Sequence, residues 1–455
     1  MKEEIQGSRS LADPTLAALR RGALAGAAEL RLGAGVASFP AEIFGLADTL
    51  EILDLGRGTL DSLPRDLGRL HKLRVIFLSG HRFTRLPPAL GDCAALGQIG
   101  CRGTGLTEVP GEALPKALRW LTLTDNRIET LPKTLGERPV LQKLMLAGNR
   151  LTALPGSLEG AGNLELVRLA ANRFEALPPW LTDLPRLAWA AWAGNPGERR
   201  LPADGRAAIA WDEIETGAVL GEGASGRVHG ALWRRPGAAA PQPVALKLFK
   251  GAMTSDGLPK HEMAACLLAG PHPHLVGALG RVADHLDGSA GLVMPLLPSH
   301  WRSLAGPPSL ATCSRDVYDP SLRLTTEQAL RIARGIAGAV THLHARGLMH
   351  GDLYAHNILW DGADGQAALS DFGAASALPD GSAGEAWRRI EVRAFGLLLE
   401  ELRACCEAPP ASVLALARAC AGPPSDRPIM ADALHELARD DVPADGRTGR
   451  HAPPG

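Results

Sequence analysis

LRWLTLTDNRIETLP, Leu118 to Pro132, decides the fold of the first half of the chain, because its pattern returns at a fixed interval. An apolar residue followed by proline stands at Phe39-Pro40, Leu63-Pro64, Leu86-Pro87, Val109-Pro110, Leu131-Pro132, Leu154-Pro155 and Leu177-Pro178, at steps of 24, 23, 23, 22, 23 and 23 residues. Asn126, Asn149 and Asn172 each stand five residues before one of the later pairs, and Asn195 continues the series. Alternating apolar residues precede the asparagines: Leu121 and Leu123, Leu144 and Leu146, Val167 and Leu169. Such a unit predicts one short parallel strand and a return segment. No unit can bury its leucines alone, so stacked neighbours must share one core.

The unit resembles a leucine-rich repeat, and the resemblance covers about residues 28–198. It implies an α/β solenoid in which an asparagine ladder satisfies backbone groups at the bend after each strand. Gly58, His81 and Thr104 depart from that ladder in the early repeats. Residues 13–24, DPTLAALRRGAL, read as a short helix within an N-terminal cap, residues 1–27, with Asp13 at the N-cap and Pro14 at N1. Strand alternation sends the residues between the leucines to the concave face, among them Phe77, Arg102, Trp120, Lys143, Met145 and Trp189. Exposed apolar side chains there predict a face for a protein ligand; the other reading is packing within the chain.

Composition narrows the function. The chain has 48 basic and 49 acidic side chains, which gives no global field to attract nucleic acid or an anionic membrane. Its seven cysteines form no CxxC and are odd in number, which reads against a disulfide framework or zinc site and for a reducing compartment. The N-terminal MKEEIQGSRS lacks the apolar run of a signal peptide. No stretch reaches the roughly 18 uncharged apolar residues of a membrane span. Pro196 to Arg206 is polar, and residues 199–210 read as a linker. The expectation is a soluble, cytoplasmic chain with no membrane span and no nucleic-acid partner.

From Trp211 the periodicity stops. HGDLYAHNIL, His350 to Leu359, and SDFG, Ser370 to Gly373, place an aspartate, an asparagine and a second aspartate at the spacing used for phosphoryl transfer from a magnesium nucleotide. Asp352 can orient and deprotonate a hydroxyl, while Asn357 and Asp371 can hold the metal. Upstream, LGEGASGRVHG puts Gly221, Gly223 and Gly226 in a GxGxxG pattern, with Leu220 before it and Val228 after it. Glycines let a turn approach phosphates closely. A dinucleotide fold would begin a helix at these glycines, whereas RVHGALW is strand-like. VALKLFK, Val244 to Lys250, is a strand with one internal lysine, Lys247, which an apolar strand must pair or desolvate.

This order resembles that of protein kinases over about residues 211–440. The resemblance implies an α+β domain with a sheet-rich and a helical lobe, using ATP and Mg²⁺. By it, Lys247 holds the α- and β-phosphates and pairs with Glu262 on the next helix. Met294 is the gatekeeper, and the Pro295 carbonyl and Leu297 amide face the adenine edge. Val228, Ala245 and Leu359 sandwich the adenine ring. Asp352 is the base, Asn357 and Asp371 bind the metal, His350 and Phe372 are props, and Arg427 takes the arginine position near the end of the helical lobe. Residues 298–324 read as irregular, and Leu324 to Gly347 as a buried helix.

The chain departs from the kinase pattern at several points. Gly351 replaces the arginine before Asp352. Tyr354 and His356 stand where serine/threonine kinases have lysine and many tyrosine kinases arginine. No APE follows DFG, and Glu391 takes the family's aspartate position. The leading expectation is a protein kinase, serine/threonine rather than tyrosine, whose repeats bind a protein; bacterial cytoplasmic repeat kinases have this arrangement. The alternatives are a nucleotide-binding pseudokinase or scaffold, and a small-molecule phosphotransferase, because HGD also occurs in aminoglycoside and choline phosphotransferases. Residues 441–455 read as a disordered tail.

Overall fold

The computed structural model describes residues 14–199, 201, 208–223, 225–251, 253–254, 256–408 and 410–439. Asp13, most of the 199–210 linker and the 441–455 tail lie outside the described residues. The chain forms two compact units. One comprises the residues up to Glu198 together with Ala252–His261, and the other comprises Arg199–Gly251 together with Glu262 onward.

In the first unit a short helix, α1 (Pro14–Arg20), precedes eight three-residue strands. These are β1 (Glu29–Arg31), β2 (Ile52–Asp54), β3 (Val75–Phe77), β4 (Gln98–Gly100), β5 (Trp120–Thr122), β6 (Lys143–Met145), β7 (Leu166–Arg168) and β8 (Trp189–Ala191). They form one parallel sheet in chain order. The middle residue of every strand points into the core: Leu53, Ile76, Ile99, Leu121 and Leu144 are fully buried. Most return segments are 3₁₀ turns entered from the apolar-proline pair, as at Pro88–Asp92, Lys133–Glu137 and Gly156–Gly160. Proline suits that entry because its φ is already fixed.

The asparagine ladder is formed in the later repeats. Asn149 Oδ1 accepts from the Ile128 amide at 3.1 Å, and its Nδ2 donates to the Leu123 and Leu146 carbonyls at 2.9 Å. Asn126, Asn172 and Asn195 repeat this pattern. The early repeats improvise. His81 Nδ1 accepts from the Leu60 amide at 3.3 Å, and Thr104 is satisfied by Asn126 of the next repeat. The bend nevertheless recurs from His81 onward, because the residue before each of those ladder positions has positive φ: Gly80, Gly103, Asp125, Gly148, Ala171 and Gly194. On the concave face, Met145 and Trp189 are buried rather than exposed, and Lys143 Nζ lies 4.0 Å from the centre of the Trp120 ring.

The second unit opens with β9 (Ile209–Ala210), β10 (Ile214–Glu222), β11 (Gly226–Trp233) and β12 (Gln242–Phe249). Helix α2 (Pro259–Ala269) and strands β13 (Gly280–Ala283) and β14 (Gly291–Pro295) follow. The six strands form one sheet in the order β10-β11-β12-β14-β13-β9, antiparallel except that β9 joins β13 in parallel. Ile214, Val244, Leu246 and Val293 fill its core. The rest is mainly helical: α3 (Thr326–Ala345), α4 (Gly381–Ala404), α5 (Ala411–Ala421) and α6 (Met430–Arg439). A capping box between Thr325 and Gln328 starts α3, whose apolar stripe is buried. Two small sheets frame the intervening loops: β15 (Arg302–Ser303) with β17 (Ile358–Trp360) and β18 (Ala367–Leu369), and β16 (Leu348–Met349) with β19 (Ser376–Ala377). Strand β15 adds order to a stretch that the sequence reads as irregular.

Candidate active site

A cavity of about 810 Å³ in the second unit gathers most of the residues singled out by sequence. Leu220, Val228, Ala245, Lys247, Glu262, Met294, Pro295, Leu297, Leu359 and Asp371 line it, with Phe372 beside them. Gly221, Gly223, Gly226, Asp352 and Asn357 stand outside this lining.

The three glycines sit on the β10–β11 hairpin, where Gly221 pairs with Val228 and the Gly223 amide donates to the Gly226 carbonyl at 2.9 Å. A strand continues after Gly226, so this is not a strand-to-helix dinucleotide turn. A Cβ on Gly226 would stand 2.4 Å from the Leu248 carbonyl oxygen, so packing within the sheet demands glycine there. A Cβ on Gly221 or Gly223 would meet nothing within 4 Å. Packing therefore does not explain those two glycines.

Lys247 lies mid-strand in β12, opposite Val228 of β11 and Leu292 of β14. Its Nζ is paired with the Glu262 carboxylate, and the two side chains are only 13% and 6% exposed. Burial pushes the Glu262 pKa up, the charge of Lys247 opposes this, and the charge of Asp371 adds to it. Asp371 is therefore close enough to Glu262 for their charges to interact. Ala245 and Met294 are register partners across β12 and β14, and both line the cavity.

Asp352 and Asn357 are joined in the loop after β16. Asn357 Nδ2 donates to Asp352 Oδ2 at 2.8 Å and to the Asp352 carbonyl at 2.9 Å. That leaves the Asn357 side-chain oxygen as the atom to offer a cation. The loop is tied to the Asp371 segment, because the Ser370 amide and hydroxyl both donate to the Asn357 carbonyl at 2.8 Å. His350 Nε2 lies 3.0 Å from the Ser370 carbonyl, and its ring centre is 5.4 Å from that of Phe372. Asp371 has φ 59° and accepts from the Gly373 amide at 3.0 Å.

The departures from the kinase pattern have local causes. Gly351 has φ 74°, and its amide donates to Glu391 Oε1 at 2.8 Å. Glu391 is fully buried, and its other oxygen lies 2.8 Å from His344 Nε2. Burial alone would raise the Glu391 pKa, but the His344 contact, the His350 charge and the Gly351 amide bring it below the ordinary value. Tyr354 is buried, with its ring centre 5.0 Å from that of His356. Arg427 is buried and donates to the Gly422 and Arg389 carbonyls at 3.0 and 3.1 Å; burial and the neighbouring Arg393 charge lower its pKa to about 10.

Sequence reasoning missed Asp316. Its side chain, fully shielded from solvent, accepts from the His356 amide at 2.9 Å and faces His356 Nδ1 at 2.7 Å. Burial lowers the His356 pKa, but the Asp316 contact and the charges of Asp352, Asp316 and Asp371 outweigh it, so the net shift is upward. Asp316 lies in the stretch read as irregular, 40 residues before its partner. No local pattern announces the pairing.

Comparisons with known proteins agree with this geometry. Residues 214–393 match the family described as protein tyrosine and serine/threonine kinase, and residues 115–189 match the leucine rich repeat family. The chain is 30% identical over 169 residues to the probable serine/threonine-protein kinase gdt4 of Dictyostelium discoideum, covering 36% of this chain and 9% of that protein. It is 30% identical over 171 residues to the serine/threonine-protein kinase PkaB of Streptomyces coelicolor, covering 34% and 35%. It is also 29% identical over 168 residues to the receptor tyrosine-protein kinase erbB-4 of Mus musculus, covering 36% and 12%. The matched segments span less than half the length of these relatives. The chain thus carries leucine-rich repeats followed by a protein kinase domain.

Proposed function

We propose that this chain is an ATP-dependent protein kinase, acting on serine or threonine, with a solenoid at residues 28–198 that binds a protein and a catalytic domain at residues 211–440. The observation that carries the reading is the shared cavity bearing the Lys247–Glu262 pair and Asp371, with Asp352 and Asn357 bonded to each other in the adjoining loop. The donor set fits a magnesium nucleotide. Asp371 and Asn357 offer hard oxygen ligands, and among the described residues no group of three or more His, Cys, Asp or Glu side chains can hold a metal by itself. A cation there needs phosphate oxygens to complete its shell.

Mg·ATP, when bound, supplies the γ-phosphoryl group and the charge neutralisation that its transfer requires. Lys247, fixed by Glu262, would hold the α- and β-phosphates. Leu220, Val228, Ala245 and Leu359 would hold the adenine, and the Pro295 carbonyl and Leu297 amide would serve as its hydrogen-bonding partners, with Met294 as gatekeeper. Asp352, oriented by Asn357, receives the proton of the acceptor hydroxyl. His356, held by Asp316, supplies positive charge where lysine and arginine are both missing. No helix among the described residues is long and apolar enough to cross a membrane, and all seven cysteines are unbridged. Both observations support a cytoplasmic place for the protein.

The test is incubation of the purified chain with γ-labelled ATP and Mg²⁺, alone, with generic protein substrates and with small hydroxylated compounds. Label on protein serine or threonine, lost in Asp352→Ala and in Lys247→Met by a factor on the order of 100 or more, is the expected result. Nucleotide binding without transfer points to a pseudokinase. Transfer to small alcohols alone points to a small-molecule phosphotransferase.

A further inference from the structure

The repeats hold a piece of their own chain. Residues Ala252–His261 group with the solenoid, and the described ones step across its successive strands. Arg102, two residues past β4, donates through Nη2 to the Met253 carbonyl. The Met253 side chain covers Gly148, beyond β6, where an added Cβ would stand 2.9 Å from the Met253 methyl. Arg168 in β7, only 2% exposed, donates through Nε to Asp256 Oδ1 at 2.5 Å. An added Cβ on Gly257 would stand 3.1 Å from the Ala170 methyl, just past β7. The His261 ring covers Gly194, beyond β8.

The segment is shaped for this seat. The Thr254 hydroxyl accepts from the Asp256 and Gly257 amides at 3.2 Å, while the Thr254 amide and hydroxyl both donate to the Gly257 carbonyl at 2.9 Å. That turn directs the Asp256 carboxylate at Arg168. Gly257 has φ 147°, a backbone angle that side-chain-bearing residues rarely adopt. A guanidinium as buried as Arg168 needs an anion, because a buried cation without one is strongly unfavourable. The face therefore selects a short turn with an apolar side chain followed three places on by Asp-Gly.

We infer that this face is a peptide-binding site for such an acidic turn, filled by Met253, Thr254, Asp256 and Gly257 as an internal ligand and contested by a partner protein that presents the same turn. The inference deepens the reading of the repeats as a protein-binding face and rests on it, not on phosphoryl transfer. Its regulatory consequence follows from chain order. His261 is followed directly by Glu262, the partner of Lys247, so a partner that takes the site frees the first turn of α2.

The probe is a fluorescent peptide of residues 250–260, KGAMTSDGLPK, titrated into the full-length chain with anisotropy as the readout. A second peptide carries alanine in place of the aspartate. The Asp256→Ala chain, with its internal ligand weakened, is expected to bind the native peptide about tenfold more tightly than wild type does. The alanine peptide should bind that chain about tenfold more weakly than the native one. Arg168→Ala and Arg168→Lys, each checked for folding by circular dichroism, should both lose the preference for aspartate, the lysine variant less completely. Amide exchange across residues 256–261 of wild type should quicken as the native peptide saturates. Equal binding of both peptides to the Asp256→Ala chain overturns the inference, as does unchanged exchange. Absence of phosphoryl transfer touches neither readout.

Discussion

The Asp316 carboxylate fixes His356 through two atoms of the same residue, its amide and its ring. That geometry suits the role proposed for His356, a cation in place of the lysine and arginine missing from the loop around Asp352. The groups facing the imidazole are Asp316, Asp352 and Asp371, all acidic, with the Tyr354 ring alongside. The sign follows from them. A raised pKa keeps His356 protonated to higher pH than its ordinary 6.5, so the rate should fall as pH rises through that raised value. His356→Gln should lower kcat about tenfold to a hundredfold and flatten this limb of the pH profile, with little change in KM for ATP. His356→Arg should restore much of the rate and remove the pH dependence. Asp316→Asn should move the limb to lower pH. The same linkage gives His356 a share of stability that is complete below the unfolded pKa and is lost as pH rises through the folded one.

At the scale of elements, the solenoid depends on hydrogen bonds that join one repeat to the next. Asn149 links the bend of its own repeat to the strand before it. Asn149→Ala orphans buried backbone groups and should lower stability to denaturant by about 1–3 kcal/mol. His81→Ala should cost less, because its bond from the Leu60 amide is longer. In the second unit, Glu401 of α4 accepts from the Tyr318 hydroxyl at 3.1 Å. Burial first, then the charge of Asp316, raises the Glu401 pKa to about 7. A carboxyl raised in this way binds its proton more tightly in the folded state. Its contribution to stability is full below the unfolded value and is lost as pH rises through about 7. Glu401→Gln should therefore flatten the fall in stability between pH 5 and 8 and gain on the order of 2 kcal/mol at the upper end. Equilibrium unfolding across that range checks both the sign and the size.

For the whole molecule, the two folds were legible because each has a pattern that survives in one dimension. The repeat period fixed the parallel strands and their core leucines. Leu220, Val228, Lys247, Glu262 and Asp371, marked by their order along the chain, share one cavity. What escaped were pairings between distant residues of ordinary local character. Asp316 sits in a stretch with no periodicity, and MTSDG reads as any surface turn, although Asp256 meets a buried arginine 88 residues away. The regular bend of the early repeats has its sign in Gly80 and Gly103, which stand where Gly148 and Gly194 stand later. The proposed function requires the cavity to be a magnesium-nucleotide site. Calorimetric titration of Mg·ATP into the full-length chain tests that directly. A saturable heat that is lost in Lys247→Met and falls sharply in Asp371→Asn is the predicted result; a flat titration of the folded wild-type chain would contradict the account.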